Sequence, residues 1–260
     1  MDLRIIGCHG GETPKHRTSA FVVDERVAID AGSLTSGMDL KAQCALEAVL
    51  VSHAHLDHVR DLATIADNRN QSGAGPLTVA ATKTTIAILR KHFFNNLLWP
   101  DFARIPNARR PAIRYVELAL EKPASIAGYV VNAIPVNHTI ACCAFTIRGT
   151  DGVLAYSGDT GPTDRLWEVL GATQDLKALL MEVSFPNAEG RLARVSGHHT
   201  PETMARDLKK LKTMDGRPIR ELPTLLYHIK PSFQVAVERE CARLRDLNLT
   251  LCALGDQFIL

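Results

Sequence analysis

The sequence lacks the features of a membrane, secreted or nucleic-acid-binding protein. No apolar run approaches the roughly 20 residues needed to span a bilayer. The first residues, Met1 to Gly7, have an acidic second position and too short an apolar run for a signal peptide. The formal net charge is only +2, which gives no basic field to attract nucleic acid. We therefore expect a cytoplasmic protein without a membrane partner, and we do not expect nucleic acid as a partner.

Paired cysteines are also missing. The six cysteines include no Cys-x-x-Cys spacing, and the adjacent Cys142 and Cys143 would point to opposite faces of a strand. The sequence therefore indicates neither a disulfide framework nor a zinc site built on that spacing. We expect reduced cysteines that act as small apolar side chains in a cytosolic protein.

The length and composition fit a folded chain with one large core. Of the 260 residues, 46% are hydrophobic and 22% are charged, which is ordinary for a globular protein. A chain of this length can bury a substantial core without disulfides. We expect a single domain over residues 1–260.

Apolar runs that predict strands are mixed along the chain with helical patterns. Residues 21–23 and 27–29 flank the pair Asp24-Glu25 and predict a hairpin. Residues 48–51 predict a strand that ends at a histidine cluster, and residues 56–67 then predict a helix. We also expect strands at 3–6, 77–80, 112–116, 128–135, 141–148, 153–156, 178–183 and 222–227, with one or two more at the C-terminus. Further helices are expected at 163–170, 201–211, 232–247 and 82–94, the last capped by Thr82, and a surface loop at 68–76. This mixture indicates a layered α/β sandwich.

The histidine cluster carries the strongest chemical signal. His53, His55, Asp57 and His58 place four potential metal ligands within six residues. Residues two apart in an extended segment share a face, so His53 and His55 can chelate one ion. The chain must then turn, which lets Asp57 and His58 address a second ion. Imidazole and carboxylate groups suit zinc, manganese or iron. A lone histidine usually needs no metal, but burying this many titratable groups together without one would be costly.

The HxHxDH pattern resembles the defining motif of the metallo-β-lactamase superfamily, whose fold is an αββα four-layer sandwich. The superfamily's later ligands match His138 in Pro135 to Thr139, Asp159 in Tyr156 to Thr160, and His228 in Tyr227 to Pro231. By this resemblance the first ion is bound by His53, His55 and His138. The second is bound by Asp57, His58 and His228, and Asp159 bridges the two. The upstream Asp30 matches a group that orients a ligand histidine rather than a ligand. A bridging aspartate without an export signal points away from antibiotic hydrolysis.

Several segments are similar to class II cyclic-nucleotide phosphodiesterases. The similarity runs from about Leu3 to Pro231 and is carried by residues 92–101, 156–162, 166–168, 181–187, 197–201 and 228–231. It implies hydrolysis of cAMP or cGMP to a 5′-nucleoside monophosphate by attack of a metal-bridging hydroxide. The two divalent ions would be Zn²⁺, with Mn²⁺ or Fe²⁺ possible. His199 stands where that family often has another residue, and the loop Gly7 to Gly11 is altered, which leaves the substrate range open.

A pairing of Glu182 with His198 is implied by resemblance to the tRNA-processing branch of the superfamily, although His198 could instead be a loop histidine that caps the following helix. We expect Asp57 to act at the metal centre and His198 to donate a proton to the leaving oxygen. Glu182 would orient His198 and raise its pKa. His199 is an alternative donor or a substrate contact. His9, His16 and His92 are given no catalytic role.

Three further residues have two interpretations each. Asn95 and Asn96 are candidate nucleobase contacts, but the segment FFNNLLWPDF can equally be a structural insertion or the surface of a homodimer. Thr160 is a candidate phosphate contact or a turn-stabilising residue.

Two alternative functions stay open. A phosphodiesterase of the same fold could act on another small phosphoester or on RNA 3′ ends, although we see no long Gly- and Lys-rich arm of the kind that tRNA-processing relatives carry. A redox or binding protein could retain the same di-metal site. We expect no appended flavodoxin-like domain in a chain of this length, and no ligand of the site is missing.

Overall fold

The computed structural model describes residues 1–213 and 216–260. Within these residues the strands are β1 (Asp2–Gly7), β2 (Ala20–Val23), β3 (Val27–Ile29), β4 (Ala48–Val51), β5 (Leu77–Ala81), β6 (Ile113–Glu117), β7 (Ala124–Ile126), β8 (Tyr129–Pro135), β9 (Cys143–Arg148), β10 (Val153–Tyr156), β11 (Leu176–Glu182), β12 (Thr224–Tyr227), β13 (Leu249–Leu251) and β14 (Gln257–Ile259).

Short helices connect these strands. They are α1 (Leu34–Gly37), α2 (Leu40–Ala45), α3 (Leu56–Val59), α4 (Leu62–Gln71), α5 (Lys83–Ile88), α6 (Arg165–Gly171), α7 (Gly190–Ser196), α8 (Pro201–Leu208) and α9 (Gln234–Cys241). A π-helical turn continues α5 over Leu89–Phe93, and 3₁₀ turns lie at Asn187–Glu189, Ile219–Glu221 and Pro231–Phe233. None of the helices in the described part of the chain has the length and apolarity that a bilayer crossing requires.

The described strands form two seven-stranded sheets. The first has the order β14-β1-β2-β3-β4-β5-β6, and the second has the order β13-β12-β11-β10-β9-β8-β7. Strands β3 to β6 are parallel, as are β10 to β13, while the remaining pairs are antiparallel. Each sheet therefore has one parallel half, in which neighbouring strands end at the same edge.

Three apolar clusters hold the layers together. The inner faces of the two sheets meet in a core that includes Phe21, Phe145 and Tyr227. Helices α1 to α5 cover the outer face of the first sheet, and helices α6, α8 and α9 cover that of the second. In β4, Ala48 and Leu50 point into the inner core and Val49 into the outer one. The predicted four-layer αββα sandwich is confirmed.

The sequence predicted several elements close to their observed bounds. The hairpin is confirmed as β2 and β3, and β4 has the predicted bounds. Thr82 caps α5 by accepting a hydrogen bond from the backbone N–H of Thr85. The patterns did not reveal α1, α2, α7 or β7.

The predicted helix over residues 56–67 is wrong as a single element, because it breaks between α3 and α4. Ala31, in the loop after β3, takes over the backbone groups at the break. Its N–H donates to the carbonyl of His58 at 2.7 Å, and its carbonyl accepts from the N–H of Asp61 at 2.8 Å. A tertiary contact thus replaces helical hydrogen bonds beside the histidine cluster.

The bounds of four other predicted elements are corrected in the structure. The predicted loop over residues 68–76 is wrong at its start, since α4 continues to Gln71. The helix predicted over residues 82–94 changes to a π-helical turn after Ile88. Helix α8 ends at Leu208, and α9 begins at Gln234, after a 3₁₀ turn, and ends at Cys241.

One buried arginine fixes the segment that leads into β4. Arg69 of α4 is 3% exposed. Its guanidinium donates at 2.7–2.9 Å to the carbonyls of Gln43, Cys44, Leu46 and Gly75. The bonds to the carbonyls of Gln43 and Leu46 are buried, and these carbonyls would lose a charged donor with the guanidinium, so Arg69 anchors the chain just before the histidine cluster.

We predict that Arg69→Met lowers the free energy of unfolding by about 3 kcal/mol or more, because buried carbonyls lose charged donors. Urea denaturation measures this loss. The control is Arg104→Met, since the Arg104 side chain is 82% exposed and pairs only at the surface with Asp101. Its urea midpoint should stay at the wild-type value, and equal losses in the two variants would contradict the anchoring role.

Candidate metal centre

The site lies where strands of both sheets end at one edge. Asp30 follows β3, the histidine cluster follows β4, Asp159 follows β10 and His228 follows β12. His138 follows β8, which runs in the same direction as β10. The parallel halves of the two sheets therefore bring together residues that are far apart in the chain.

Three imidazoles form a first group of ligand atoms. Nδ1 of His55 lies 3.0 Å from Nε2 of His53 and 3.2 Å from Nε2 of His138. His53 is buried, whereas His55 and His138 are half-buried. The group is thus open to solvent on the side of His55 and His138.

A second group combines two imidazoles and a carboxylate. Nε2 of His228 lies 3.4 Å from Nε2 of His58 and 3.3 Å from Oδ2 of Asp57. His58 and His228 are fully buried and Asp57 is half-buried. This group has the composition expected for the second ion.

The Asp159 carboxylate lies between the two groups. Its Oδ2 is 3.8 Å from Nε2 of His53, 3.2 Å from Nε2 of His58 and 3.1 Å from Nε2 of His228. Its Oδ1 is buried and has no hydrogen-bond partner among the described residues. A buried carboxylate oxygen without a donor is costly unless a cation neutralises it.

The spacing of these atoms fits divalent metal ions. Ligand atoms around a tetrahedral zinc ion at about 2.0–2.1 Å are about 3.3–3.4 Å apart. The separations within the two groups, 3.0 and 3.2 Å in the first and 3.3 and 3.4 Å in the second, lie close to that value. In each group the three ligand atoms lie within 4.8 Å of one another. The donor set therefore fits two ions.

Each ligand histidine that presents Nε2 is held from behind through Nδ1. The partners of these Nδ1 atoms, at 2.7–3.0 Å, are Ser52 for His53, Asp30 for His58, the Gly197 carbonyl for His138 and Ser184 for His228. A carbonyl or carboxylate can only accept, so His138 and His58 carry their proton on Nδ1 and leave Nε2 free. The sequence did not reveal this role of Ser52, Ser184 or Gly197. Ser184 and Gly197 contact histidines that lie far away in the chain, and the dipeptide Ser52-His53 is too generic to indicate a contact.

The Asp30 carboxylate serves both groups. Its Oδ2 accepts hydrogen bonds from His58 Nδ1 at 2.7 Å, Ser52 Oγ at 2.8 Å and Tyr156 Oη at 2.6 Å, and its Oδ1 accepts from the Ser52 N–H. Because the Ser52 hydroxyl donates to Asp30, it accepts from Nδ1 of His53. The carboxylate thus contacts one histidine of the second group directly and one of the first through Ser52.

Two site residues are held in the left-handed backbone region. Asp30 has φ 55° and His228 has φ 70°, conformations that cost free energy for residues with a side chain. Gly197 has φ 68°, and a Cβ atom there would lie 3.0 Å from both Cα and Nδ1 of His138. The carbonyl that holds His138 therefore requires glycine at position 197.

Burial favours neutral imidazoles at most of these positions. It lowers the pKa of His53, His138 and His228. Neutral imidazole is the form that binds metal. Burial acts in the same direction on His58, but the carboxylates of Asp159 and Asp30 reverse it and raise the pKa of His58 well above its usual range. Without a metal the surrounding carboxylates thus favour a positive charge on His58, and a divalent cation would take the place of that proton.

Both aspartates of the site are held as carboxylates. Although burial raises the pKa of Asp57, the hydrogen bond with His228 and the charge of His58 bring it below its usual range. Burial also opposes ionisation of Asp159, but His228 and His58 keep the pKa of Asp159 well below its ordinary value. Ionised carboxylates are the form in which aspartate binds a metal.

Glu182 and His198 lie beside the second group. Nδ1 of His198 is 3.2 Å from Oε1 of Glu182 and 3.2 Å from Oγ of Ser184. The His198 ring stacks on the ring of His228, with centroids 5.1 Å apart. Burial raises the pKa of Glu182 to about 7. The expectation that Glu182 raises the pKa of His198 is wrong, since burial lowers it.

The His199 side chain is fully buried and lies among other partners. Its Nδ1 is 3.1 Å from Oγ1 of Thr203, and its Nε2 is 3.8 Å from Oδ2 of Asp207. Its backbone N–H donates to Oε1 of Glu182 at 3.0 Å. These contacts give His199 a packing position behind Glu182, and its contact with substrate stays a prediction.

Asn95, Asn96 and Thr160 use their polar groups locally. Oδ1 of Asn95 accepts from the N–H groups of Leu97 and Leu98, and Oδ1 of Asn96 accepts from that of Asp101. The Thr160 hydroxyl donates to the Gly161 carbonyl at 2.7 Å. These bonds stabilise turns, and the predicted contacts with a nucleobase or phosphate stay predictions.

Comparison with known families agrees with this architecture. The sequence model of a family described as "Beta-lactamase superfamily domain" matches residues 26–219. A probable 3′,5′-cyclic-nucleotide phosphodiesterase of Yersinia pestis is 32% identical over 73% of this chain and 59% of its own length. The chain thus spans about three fifths of that relative. A 3′,5′-cyclic-nucleotide phosphodiesterase of Aliivibrio fischeri is 26% identical over 96% of this chain and 89% of the relative.

Two solved structures share the fold across nearly the whole chain. Unliganded yeast PDE1 superposes with a TM-score of 0.83 at 18% identity, covering 100% of this chain and 99% of the yeast chain. The metallo-β-lactamase fold protein YhfI of Bacillus subtilis superposes with a TM-score of 0.76 at 16% identity, covering 99% and 98%. At these identities the likeness is one of fold.

We predict that Asp159→Ala removes at least one tightly bound ion, because both ligand groups lose the carboxylate between them. Elemental analysis after dialysis against a chelating resin measures the metal content per chain. The control is Asp246→Ala, which removes an exposed carboxylate paired with Lys209 and should leave the metal content unchanged. Retention of two tightly bound ions by the Asp159→Ala protein would contradict the bridging position.

Proposed function

The chain belongs to the β-lactamase superfamily, and from this premise we propose that it is a di-metal phosphodiesterase that hydrolyses 3′,5′-cyclic nucleotides to 5′-nucleoside monophosphates. Relatives named 3′,5′-cyclic-nucleotide phosphodiesterase support the substrate class, and one of them aligns with 96% of the chain. The proposal covers cAMP and cGMP alike.

The observation that carries the proposal is the position of Asp159. One carboxylate oxygen lies within 3.8 Å of imidazole nitrogens from both ligand groups, and its partner oxygen is buried without a donor. A carboxylate shared between two ions supports a dinuclear centre rather than one isolated metal. Dinuclear centres suit phosphodiesters, because the transferred group carries negative charge on several oxygens.

We propose the ligands as the sequence predicted them. The first ion would be bound by His53, His55 and His138, and the second by Asp57, His58 and His228, with Asp159 shared and Asp30 orienting His58. The imidazole-rich donor set suits Zn²⁺, with Mn²⁺ or Fe²⁺ as alternatives. When bound, two such ions neutralise phosphate charge and lower the pKa of water.

We propose His198 as the proton donor to the leaving 3′-oxygen. Its Nδ1 is held by Glu182 and Ser184, which leaves Nε2 as the nitrogen for proton transfer. Glu182 fixes the ring orientation, since its Oε1 also accepts from the backbone N–H of His199. When the bond between phosphorus and the 3′-oxygen breaks, the imidazolium form of His198, protonated on both nitrogens, would give its Nε2 proton to the departing alkoxide and keep the proton on Nδ1.

The proposal also includes a homodimer contact and a cellular location. The turn that contains Leu97 and Trp99 is exposed, with Leu97 92% accessible, and would suit the predicted homodimer contact. A cytoplasmic location and a single domain over residues 1–260 also stay predictions.

The substrate class is tested on purified protein of known metal content. We expect turnover of 3′,5′-cAMP or 3′,5′-cGMP with the 5′-monophosphate as product, identified by chromatography. Parallel assays use 2′,3′-cyclic nucleotides, a bis-aryl phosphate and an RNA with a 3′ extension. Turnover of one of these without turnover of either 3′,5′-cyclic nucleotide would overturn the proposal.

We predict that His198→Ala lowers kcat for 3′,5′-cAMP by about 10²–10⁴-fold, the contribution typical of a general acid. The loss should be much smaller with bis(p-nitrophenyl) phosphate, because nitrophenolate departs without a proton. The control is His92→Ala, which removes an exposed histidine outside the site and should leave both rates unchanged. Wild-type turnover of cAMP by His198→Ala, or equal losses with both substrates, would rule out the donor role.

A further inference from the structure

Ser184 is a buried serine whose hydroxyl contacts three residues of the site. Its Oγ lies 2.9 Å from Nδ1 of His228, 3.0 Å from Oε2 of Glu182 and 3.2 Å from Nδ1 of His198. The register of the second sheet creates this arrangement, since Glu182 at the end of β11 pairs with Tyr227 at the end of β12. Ser184 and His228 therefore lie side by side in the loops that follow these two strands.

The single hydrogen of the Ser184 hydroxyl limits which of its three contacts it can donate to. A serine hydroxyl has one hydrogen and two acceptor lone pairs, whereas a carboxylate oxygen only accepts. When Glu182 is ionised, the single hydrogen of Ser184 is therefore donated to its Oε2. Its two lone pairs face Nδ1 of His228 and Nδ1 of His198, so both rings carry a proton on Nδ1 and expose Nε2.

The two histidines differ in how much they depend on Ser184. Nδ1 of His198 has a second acceptor at 3.2 Å, Oε1 of Glu182. Nδ1 of His228 has no acceptor other than Ser184 among residues 1–213 and 216–260. Loss of the hydroxyl would therefore leave a buried N–H of His228 unpaired while His198 keeps a partner.

We propose that Ser184 is a positioning residue that fixes the ring orientation and tautomer of the metal ligand His228, and that it shares the hydrogen bond from Nδ1 of His198 with Glu182. The inference rests on the ligand and donor roles given to these histidines in the proposed function. It goes beyond that function by assigning Ser184 a selective effect on the ion bound by Asp57, His58 and His228.

The test is Ser184→Ala in the full chain, titrated with Zn²⁺ in competition with a chromogenic chelator. Removal of a group that supports a metal ligand weakens metal binding about 10–100-fold, so one of the two zinc affinities should fall by that factor and the other should stay. The control is Ser33→Ala, which removes a buried hydroxyl that donates to the Thr18 carbonyl and contacts no site histidine. Both of its zinc affinities should match the wild type.

Proton NMR of the imidazole N–H groups identifies the affected site. In zinc-loaded protein, the ring N–H signal of His228 should shift and exchange faster with solvent in Ser184→Ala. The ring N–H signal of His138 serves as an internal reference, because the Gly197 carbonyl holds it at 3.0 Å and the substitution does not touch it. Thermal unfolding of the metal-free variant checks that the chain is folded.

Two outcomes would overturn the inference. In one, Ser184→Ala binds both zinc ions with wild-type affinity. In the other, both affinities fall equally and the signals of His228 and His138 change together, as a general loss of packing would cause. Neither readout uses a cyclic nucleotide, so failure of the proposed activity would be recognised separately from failure of this inference.

Discussion

The carboxyl groups of Asp30 and Asp159 are buried at the junction of two sheets, and the rest of the site depends on how each of them is compensated. The Asp30 carboxylate is satisfied entirely by the protein, with donors from His58, Ser52 and Tyr156. Asp159 is not, because its Oδ1 has no donor in the described part of the chain. Burying a carboxylate costs free energy unless donors or a cation compensate it, and the two aspartates differ in which of these they have available. Asp30 holds His58 directly and His53 through Ser52, and Asp159 is the carboxylate that we propose is shared by cations.

The histidines around these carboxyl groups are themselves held by a further set of polar groups. Serine hydroxyls, a glycine carbonyl and the Asp30 carboxylate contact Nδ1 atoms and so decide which nitrogen of a histidine faces the centre. The strain at Asp30 and His228 is tolerated because several hydrogen bonds fix each residue. The chemistry proposed for this protein thus depends on residues that carry no charge, such as Ser52 and Ser184.

The sequence patterns predicted elements well where local signals and tertiary packing agree. Strand β4 and the hairpin of β2 and β3 are apolar runs bounded by polar residues, and the structure confirms them at the predicted positions. The helix predicted over residues 56–67 had the correct apolar spacing, but hydrogen bonds from Ala31 divide it. No periodicity within residues 56–67 could reveal that break, because the competing partner lies in another loop.

The sequence by itself determined the chemical identity of the site. The spacing of His53, His55, Asp57 and His58 after an apolar strand limits them to neighbouring positions, and the order of His138, Asp159 and His228 follows the pattern of a known family. Only the tertiary structure decided which groups hold these ligands in place. His58 and His228 approach to 3.4 Å although they are 170 residues apart, and Ser184 reaches His228 across 44 residues. Such contacts follow from sheet register and from strands ending at one edge, which are properties of the assembled layers and not of any segment.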